Sequence, residues 1–206
     1  MSLEKAKRAK TLNLSEIFYS IQGEGFYAGC PVVFVRFAGC NLHCEWCDTK
    51  YAWEIKESLS VGTLLTKVVA YNVRRVVLTG GEPTIQDEEL MFEFIAGLQA
   101  RVKWVQVETN GIPAPSWLSR CDWVTVSPKR GTSYNLELAN EIKVVYDNHS
   151  YRELKEFEHF CESRNTHLFL QPKDNDPKEI QKCVKIVKER KQWRLSLQLH
   201  KMINVR

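Results

Sequence analysis

The sequence predicts an α/β fold, an incomplete TIM-like barrel of about six parallel strands with outer helices. Three observations carry that expectation. Apolar runs rich in β-branched residues alternate with segments of helical periodicity, the pattern of βαβ units and a parallel sheet. Nearly every run ends in a cluster of Gly, Pro, Ser, Thr or charged residues, and crossovers of one hand bring such ends to one edge of the sheet. The chain has 206 residues, fewer than the ~250 of a complete eight-fold barrel. A doubly wound open sheet is the alternative, but no G-x-G-x-x-G opens a helix.

Residues 12–18 read as a short strand running into Gln22-Gly23-Glu24-Gly25. Residues 31–37, Pro-Val-Val-Phe-Val-Arg-Phe, form the first core strand. Arg36 interrupts it, and a buried Arg needs either a carboxylate within the fold or an anionic ligand. Ser60 caps a helix over 61–71. A second strand over 75–78 ends in Thr79-Gly80-Gly81-Glu82-Pro83, and Asp87 caps a helix to about 101. A third strand, 102–107, ends in Glu108-Thr109-Asn110-Gly111. After a short helix at 116–120, a fourth strand over 123–126 ends in Ser127-Pro128-Lys129. A short helix is expected over 136–139 and a fifth strand over 141–145. Ser150 caps an amphipathic helix to about 164, and a sixth strand over 167–170 ends in Gln171-Pro172-Lys173-Asp174. Asp176-Pro177 starts a helix to about 190. Residues 193–199 make a last strand-like segment. The strand-end clusters at 79–83, 108–111, 127–129 and 171–174 should therefore converge with the loop that follows the first core strand.

Composition is that of an ordinary globular chain, 44% hydrophobic and 26% charged, and the length suits a single domain, 1–206. No apolar run is long enough to span a bilayer. Residues 1–10 are charged and lack an apolar core, so no secretory signal is expected. Of seven cysteines, Cys30, Cys121, Cys161 and Cys183 are scattered, which suits a reducing, cytoplasmic compartment better than a disulfide framework. The net charge of +4 gathers at Lys5, Lys7, Arg8 and Lys10 and along 178–194. No aromatic residues interleave with it, so a solvated surface is expected and nucleic acid is not required.

The chemistry centres on residues 39–49, where Cys40, Cys44 and Cys47 form C-x3-C-x2-C. Three thiolates on one short loop can grip one compact centre. Iron–sulfur cubanes usually take four cysteines, so a cube held by three leaves one iron open. A structural zinc site needs four protein ligands. His43, inside the first spacer, is the nearby candidate for a fourth. Without a partner motif, the turns at 22–25 and 171–174 and the Thr49 hydroxyl would read as ordinary loop features.

The spacing of the cysteines, with Trp46 before the third, resembles the radical S-adenosylmethionine superfamily. The Thr79-Gly80-Gly81-Glu82-Pro83 turn resembles that superfamily's second motif. A narrower resemblance, to the 7-carboxy-7-deazaguanine synthase family, covers almost the whole chain. It rests on F-x-S-x-Q-G-E-G at 18–25, Phe-Val-Arg-Phe-Ala-Gly-Cys at 34–40, Trp-Cys-Asp-Thr at 46–49, Glu-Thr-Asn-Gly at 108–111, Ser-Pro-Lys at 127–129, Gln-Pro-Lys-Asp at 171–174 and Leu-Ser-Leu-Gln-Leu-His-Lys at 195–201. Leu199 stands where the family usually has Thr.

The resemblance implies a [4Fe–4S] cluster on Cys40, Cys44 and Cys47 whose unique iron chelates S-adenosylmethionine, yielding a 5′-deoxyadenosyl radical. It implies hydrogen abstraction from 6-carboxy-5,6,7,8-tetrahydropterin, ring contraction to 7-carboxy-7-deazaguanine and release of ammonia. No side chain is assigned a catalytic role beyond the cofactor-derived radical. Substrate would contact Ile21, Gln22, Gly23, Glu24, Arg36, Thr79 and Arg206. S-adenosylmethionine would rest on Gly81, Thr109, Ser127, Pro128, Lys129, Gln171, Pro172, Lys173 and Asp174. Thr49 would bind Mg²⁺, a hard ion that takes oxygen ligands. The family also implies a flavodoxin or ferredoxin as electron donor, a homodimer, and a C-terminal tail, 195–206, closing over the site. Two rivals carry different tests: a glycyl-radical activase, which lacks the 18–25 opening, and a zinc-stabilised nucleic-acid-binding module.

Overall fold

The computed structural model describes residues 10–101 and 103–206. The basic residues Lys5, Lys7 and Arg8 and the expected strand start at Val102 lie outside the described residues.

One nine-stranded sheet runs in the order β3-β1-β2-β4-β5-β6-β7-β8-β9. Its strands are β1 (Leu12–Ile21), β2 (Pro31–Phe37), β3 (Glu57–Leu59), β4 (Arg75–Gly80), β5 (Trp104–Thr109), β6 (Trp123–Val126), β7 (Glu141–Val145), β8 (His167–Gln171) and β9 (Trp193–Leu195). From β2 through β4 to β9 every neighbouring pair is parallel. This is the incomplete barrel that the alternating pattern predicts. At its first edge β1 runs antiparallel to β2, and β3 antiparallel to β1.

The helices begin where the sequence places their caps. Ser60 accepts the Thr63 N–H ahead of α1 (Val61–Val69), and Asp87 accepts the Leu90 N–H ahead of α2 (Glu88–Gln99). Ser150 and Glu153 form a reciprocal capping box on α3 (Tyr151–Cys161), and Asp176 accepts two N–H groups at the start of α4 (Pro177–Glu189). These helices cover the outer face of the sheet. Val33, Val35 and Phe37 of β2, Val76 and Leu78 of β4, and Val105 and Val107 of β5 pack with Leu64, Met91, Phe94 and Leu98 in one buried core. Among the described residues, no helix is long and apolar enough to cross a membrane.

Three expectations are corrected. The stretch 136–139 forms a turn and not a helix: the Asn135 side chain accepts the Glu137 N–H, and the Ala139 N–H reaches the Leu136 carbonyl. The last strand stops at Leu195, because the chain turns at the buried Ser196, and Leu199 opens the short α5 (Leu199–Met202). β1 continues to Ile21 rather than ending at Phe18, since its antiparallel pairing persists to Ile21 opposite Pro31.

Strand alternation decides what lies inside the barrel. Side chains two apart share a face. With Val33, Val35 and Phe37 turned to the helices, Val32, Phe34 and Arg36 face inward. The same logic turns Thr79 of β4, Glu108 of β5, Lys143 of β7 and Gln171 of β8 toward the interior. The C-terminal rim is thus polar by sequence period alone.

Candidate active site

Cys40, Cys44 and Cys47 line one cavity together with Gly81, Thr109, Ser127, Lys129, Gln171, Pro172, Lys173 and Asp174. These residues come from five separate strand ends, so the expected convergence occurs. Pro128 instead borders an adjacent surface depression with Cys44, Trp46 and Lys129. A second cavity is lined by Ile21, Gln22, Gly23, Glu24, Arg36, Thr79 and Arg206, joined by His200. Glu24, Asp48, Thr49, Thr79, Gly80 and Glu108 border both cavities.

The cysteine loop is held by backbone. Gly81 N–H donates to the Phe37 carbonyl at 3.1 Å, and Glu82 N–H to the Gly39 carbonyl at 2.8 Å. Gly81 must be glycine, because a Cβ there would stand 1.9 Å from the Gly39 oxygen. Asn41 adds a side-chain tie, donating to the Ile112 carbonyl at 2.6 Å and accepting from the Asn110 amide at 2.8 Å. Glu82 is buried and accepts four hydrogen bonds: Thr84 N–H, Thr84 hydroxyl, Thr109 hydroxyl and Asn110 N–H. Burial pushes its carboxyl up from the ordinary value, against the opposing pull of those donors.

The donor set fits a cubane. All seven cysteines are free, and Cys40, Cys44 and Cys47 are half-buried at the cavity. His43 packs edge-on against the cavity-lining Trp53 at 4.7 Å and does not itself line the cavity. Among the described residues, no three His, Cys, Asp or Glu donors close on one point as a single zinc ion requires. Burial raises the Cys44 thiol, as do Cys40 and Cys47, while Lys129 opposes them. The Lys129 ammonium donates to the Ser127 carbonyl and hydroxyl, each at 2.7 Å, and lies 5.7 Å from the Trp46 ring.

The second cavity is lined in part by a segment from the far end of the barrel. Because β1 and β2 are antiparallel, residues 22–30 connect them at the edge opposite the cysteine loop. This segment folds under and into the barrel. Phe26 stacks on Trp123 and His167, and Tyr27 packs on Trp104, at the starts of β6, β8 and β5. Gly25 has φ +67° and lies against Glu141, where a Cβ would meet the carboxylate at 2.0 Å. Glu141 accepts the Phe26 N–H at 3.1 Å and the Trp123 indole N–H at 3.2 Å. Gln22 and Glu24 thereby face the cavity from below.

Arg36 meets a carboxylate of the fold: its Nε–H donates to Glu16 at 2.9 Å, the residue paired with it across β1 and β2. Arg206 also pairs with Glu16, and the Ser20 hydroxyl donates to the Arg206 carbonyl at 2.5 Å. The tail is fastened further by Gln198, whose amide donates to Glu24 at 3.0 Å and Asp48 at 2.9 Å. Lys201 bridges Asp48 and Asp174. Leu199 contributes its backbone, donating N–H to the Gly23 carbonyl at 2.9 Å. Lys143, Asp48, Gln198 and Lys201 were not among the expected site residues. The alternation Glu141-Ile142-Lys143 was the available signal for Lys143, whereas the long-range ties of Asp48, Gln198 and Lys201 leave no local pattern.

A three-thiol loop on the rim of an incomplete parallel barrel defines a radical S-adenosylmethionine protein, and the chain matches the Radical SAM superfamily over residues 34–157. It is 39% identical to the 7-carboxy-7-deazaguanine synthase of Bacteroides thetaiotaomicron, over 94% of this chain and 98% of that protein. It superposes on the crystal structure of QueE from Escherichia coli with a TM-score of 0.75 and 30% identity, covering 92% of this chain and 95% of that one. Streptococcus suis SuiB bound to precursor peptide SuiA shares the fold alone, with a TM-score of 0.54, 15% identity and coverage of 76% of this chain and 46% of that one. The chain belongs to the 7-carboxy-7-deazaguanine synthase family. Membership brings a [4Fe–4S] cluster and S-adenosylmethionine as cofactors, and favours neither the activase nor the zinc module.

Proposed function

We propose that the protein converts 6-carboxy-5,6,7,8-tetrahydropterin to 7-carboxy-7-deazaguanine and ammonia, a step in 7-deazapurine biosynthesis leading toward queuosine. One observation carries this reading: the cysteine cavity and the Arg36 cavity adjoin, sharing Glu24, Thr49, Thr79 and Glu108. A cofactor in the first would lie beside a small anionic heterocycle in the second.

Cys40, Cys44 and Cys47 would hold the cluster. Gly81, Thr109, Ser127, Pro128, Lys129 and the 171–174 turn would hold S-adenosylmethionine. When bound, these cofactors supply the one-electron chemistry that removes a hydrogen atom from the substrate. The chain positions and shields. Glu16 holds the Arg36 Nε–H, and the rest of that planar fork, bordering the second cavity, suits the substrate carboxylate. Gln22, Glu24, Thr79 and the backbone at Ile21 and Gly23 would read the heterocycle's donors and acceptors. Arg206 and the 195–206 tail would cover it.

Thr49 would contribute one oxygen to Mg²⁺, with the substrate carboxylate supplying another. Its position between the cavities and beside Asp48 supports that role. A flavodoxin or ferredoxin would deliver the electron, in a cytoplasmic homodimer built from one domain per chain.

The test is incubation of the anaerobically reconstituted protein with the carboxytetrahydropterin, S-adenosylmethionine, Mg²⁺ and a reductant, with products resolved by mass. Loss of ammonia to give 7-carboxy-7-deazaguanine is expected. Absence of that product from cluster-loaded protein would overturn the assignment.

A further inference from the structure

Lys143 stands in the middle of β7, inside the barrel, with its side chain 6% exposed. A charge so buried is costly unless partnered. Its ammonium pairs with Glu24 and lies 3.6 Å from Glu108. Both carboxylates border both cavities. Each is oriented further: Glu24 accepts the Gln198 amide at 3.0 Å, and Glu108 accepts Gln22 at 3.0 Å and the Thr79 hydroxyl at 3.2 Å. One lysine therefore joins the 22–30 segment, β4, β5 and the tail.

We propose that Lys143 is a positioning residue that keeps Glu24 and Glu108 side by side as acceptors for a ligand edge carrying adjacent N–H donors. The inference rests on the pterin reading of the second cavity, since the 2-amino-4-oxopyrimidine half of a pterin is such an edge. Both carboxylates lie against the one Lys143 ammonium, and without that cation two like charges in one site favour uptake of a proton. A protonated carboxyl donates where the ligand also donates, so the recognition would fail. Burial raises the Glu24 carboxyl, but Lys143 and Gln198 outweigh it and hold the group below its ordinary value. The Lys143 ammonium is raised by Glu108, Glu24 and Glu141 against the opposing effect of burial. The other charged groups around this cluster include Asp48, which shares the Gln198 amide with Glu24, Arg36 on β2, Glu141 on β7, Lys129 after β6 and His200 on α5; burial lowers Lys129 and His200 and pushes Glu141 up to about 7.

The experiment compares wild type, Lys143→Arg and Lys143→Met as cluster-loaded, S-adenosylmethionine-bound enzymes. Binding of 6-carboxypterin is followed by its fluorescence from pH 5.5 to 7, below the range in which the ligand's own ring N–H ionises, with KM and kcat measured in parallel. Wild type should bind with little pH dependence. Lys143→Met should bind at least tenfold more weakly at pH 6, recover part of the loss as pH rises and that proton leaves, and show the defect mainly in KM. Lys143→Arg should retain the pH profile of wild type. If Lys143→Met does not fold, Lys143→Gln takes its place, with the same pH-dependent loss expected. Wild-type affinity in the Lys143→Met or Lys143→Gln protein, or a loss equal at all pH values, overturns the role of Lys143. Failure of wild type itself to bind 6-carboxypterin overturns the pterin reading and this inference with it.

Discussion

The Glu82 carboxylate accepts the Thr109 hydroxyl at 2.6 Å, joining the end of β4 to the end of β5 beneath the cysteine loop. The same carboxylate takes the Asn110 N–H at 2.7 Å, and Thr109 in turn accepts the Gly111 N–H at 3.0 Å. Thr109 was expected to touch S-adenosylmethionine, and it does border the cavity. Its hydroxyl also ties it to the scaffold, so the same residue fixes the loop.

Glu82→Gln tests that relationship. The amide keeps one acceptor oxygen but turns a donating NH2 toward groups that also donate. Hydrogen bonds to a charged group contribute about 1.5–3 kcal/mol, so a loss of about 2 kcal/mol is expected. Denaturant unfolding of the apo-protein should show a lower midpoint with an unchanged slope. An unchanged midpoint would mean the Glu82 network carries little of the rim's stability.

Glu141 predicts a pH dependence of stability. Burial pushes its carboxyl up from 4.5 to about 7. The folded state therefore holds a proton that the unfolded chain has released between those values, and stability falls as pH rises through that window. The full difference corresponds to about 3 kcal/mol at pH 8 relative to pH 4.5. Glu141→Gln should flatten the profile across this window, because its amide oxygen still accepts the Phe26 N–H without charge. A profile of equal slope in both proteins would remove Glu141 as its source.

Thr49→Ala should weaken the response of activity to Mg²⁺ while leaving iron and sulfide content unchanged. Thr49 follows Cys47 by two residues, and its hydroxyl lies 3.5 Å from that sulfur, so metal analysis is the necessary control. An Mg²⁺ titration identical to wild type would take Thr49 out of the ion's coordination.

Much of the architecture was legible because it follows local rules. Ser60, Asp87, Ser150 and Asp176 announce helix starts by capping chemistry. The apolar runs announce strands, and their polar ends announce the rim. The β1–β2 hairpin was harder to read. Gln22 and Glu24 sit in a connection that the motif ties to the substrate, but nothing local says that it enters the barrel from beneath. That placement depends on Phe26 and Tyr27 meeting Trp104, Trp123 and His167, contacts distant in sequence. The three-residue β3 is too short for a periodic signal, and 136–139 has helical composition but too little room before β7. Lys143 was readable in principle, since a strand beginning Glu-Ile-Lys places two charges on the inner face. Its partners Glu24 and Glu108 required the fold.

The claim on which the account depends is that three cysteines hold an iron–sulfur cube with one iron left for S-adenosylmethionine. Electron paramagnetic resonance of the anaerobically reconstituted, reduced protein tests it directly, with spectra taken before and after S-adenosylmethionine is added. The account predicts a [4Fe–4S] signal whose shape changes on addition, because the nucleotide binds the open iron. A cluster signal indifferent to S-adenosylmethionine, or a protein that takes up zinc and forms no cluster, would contradict it.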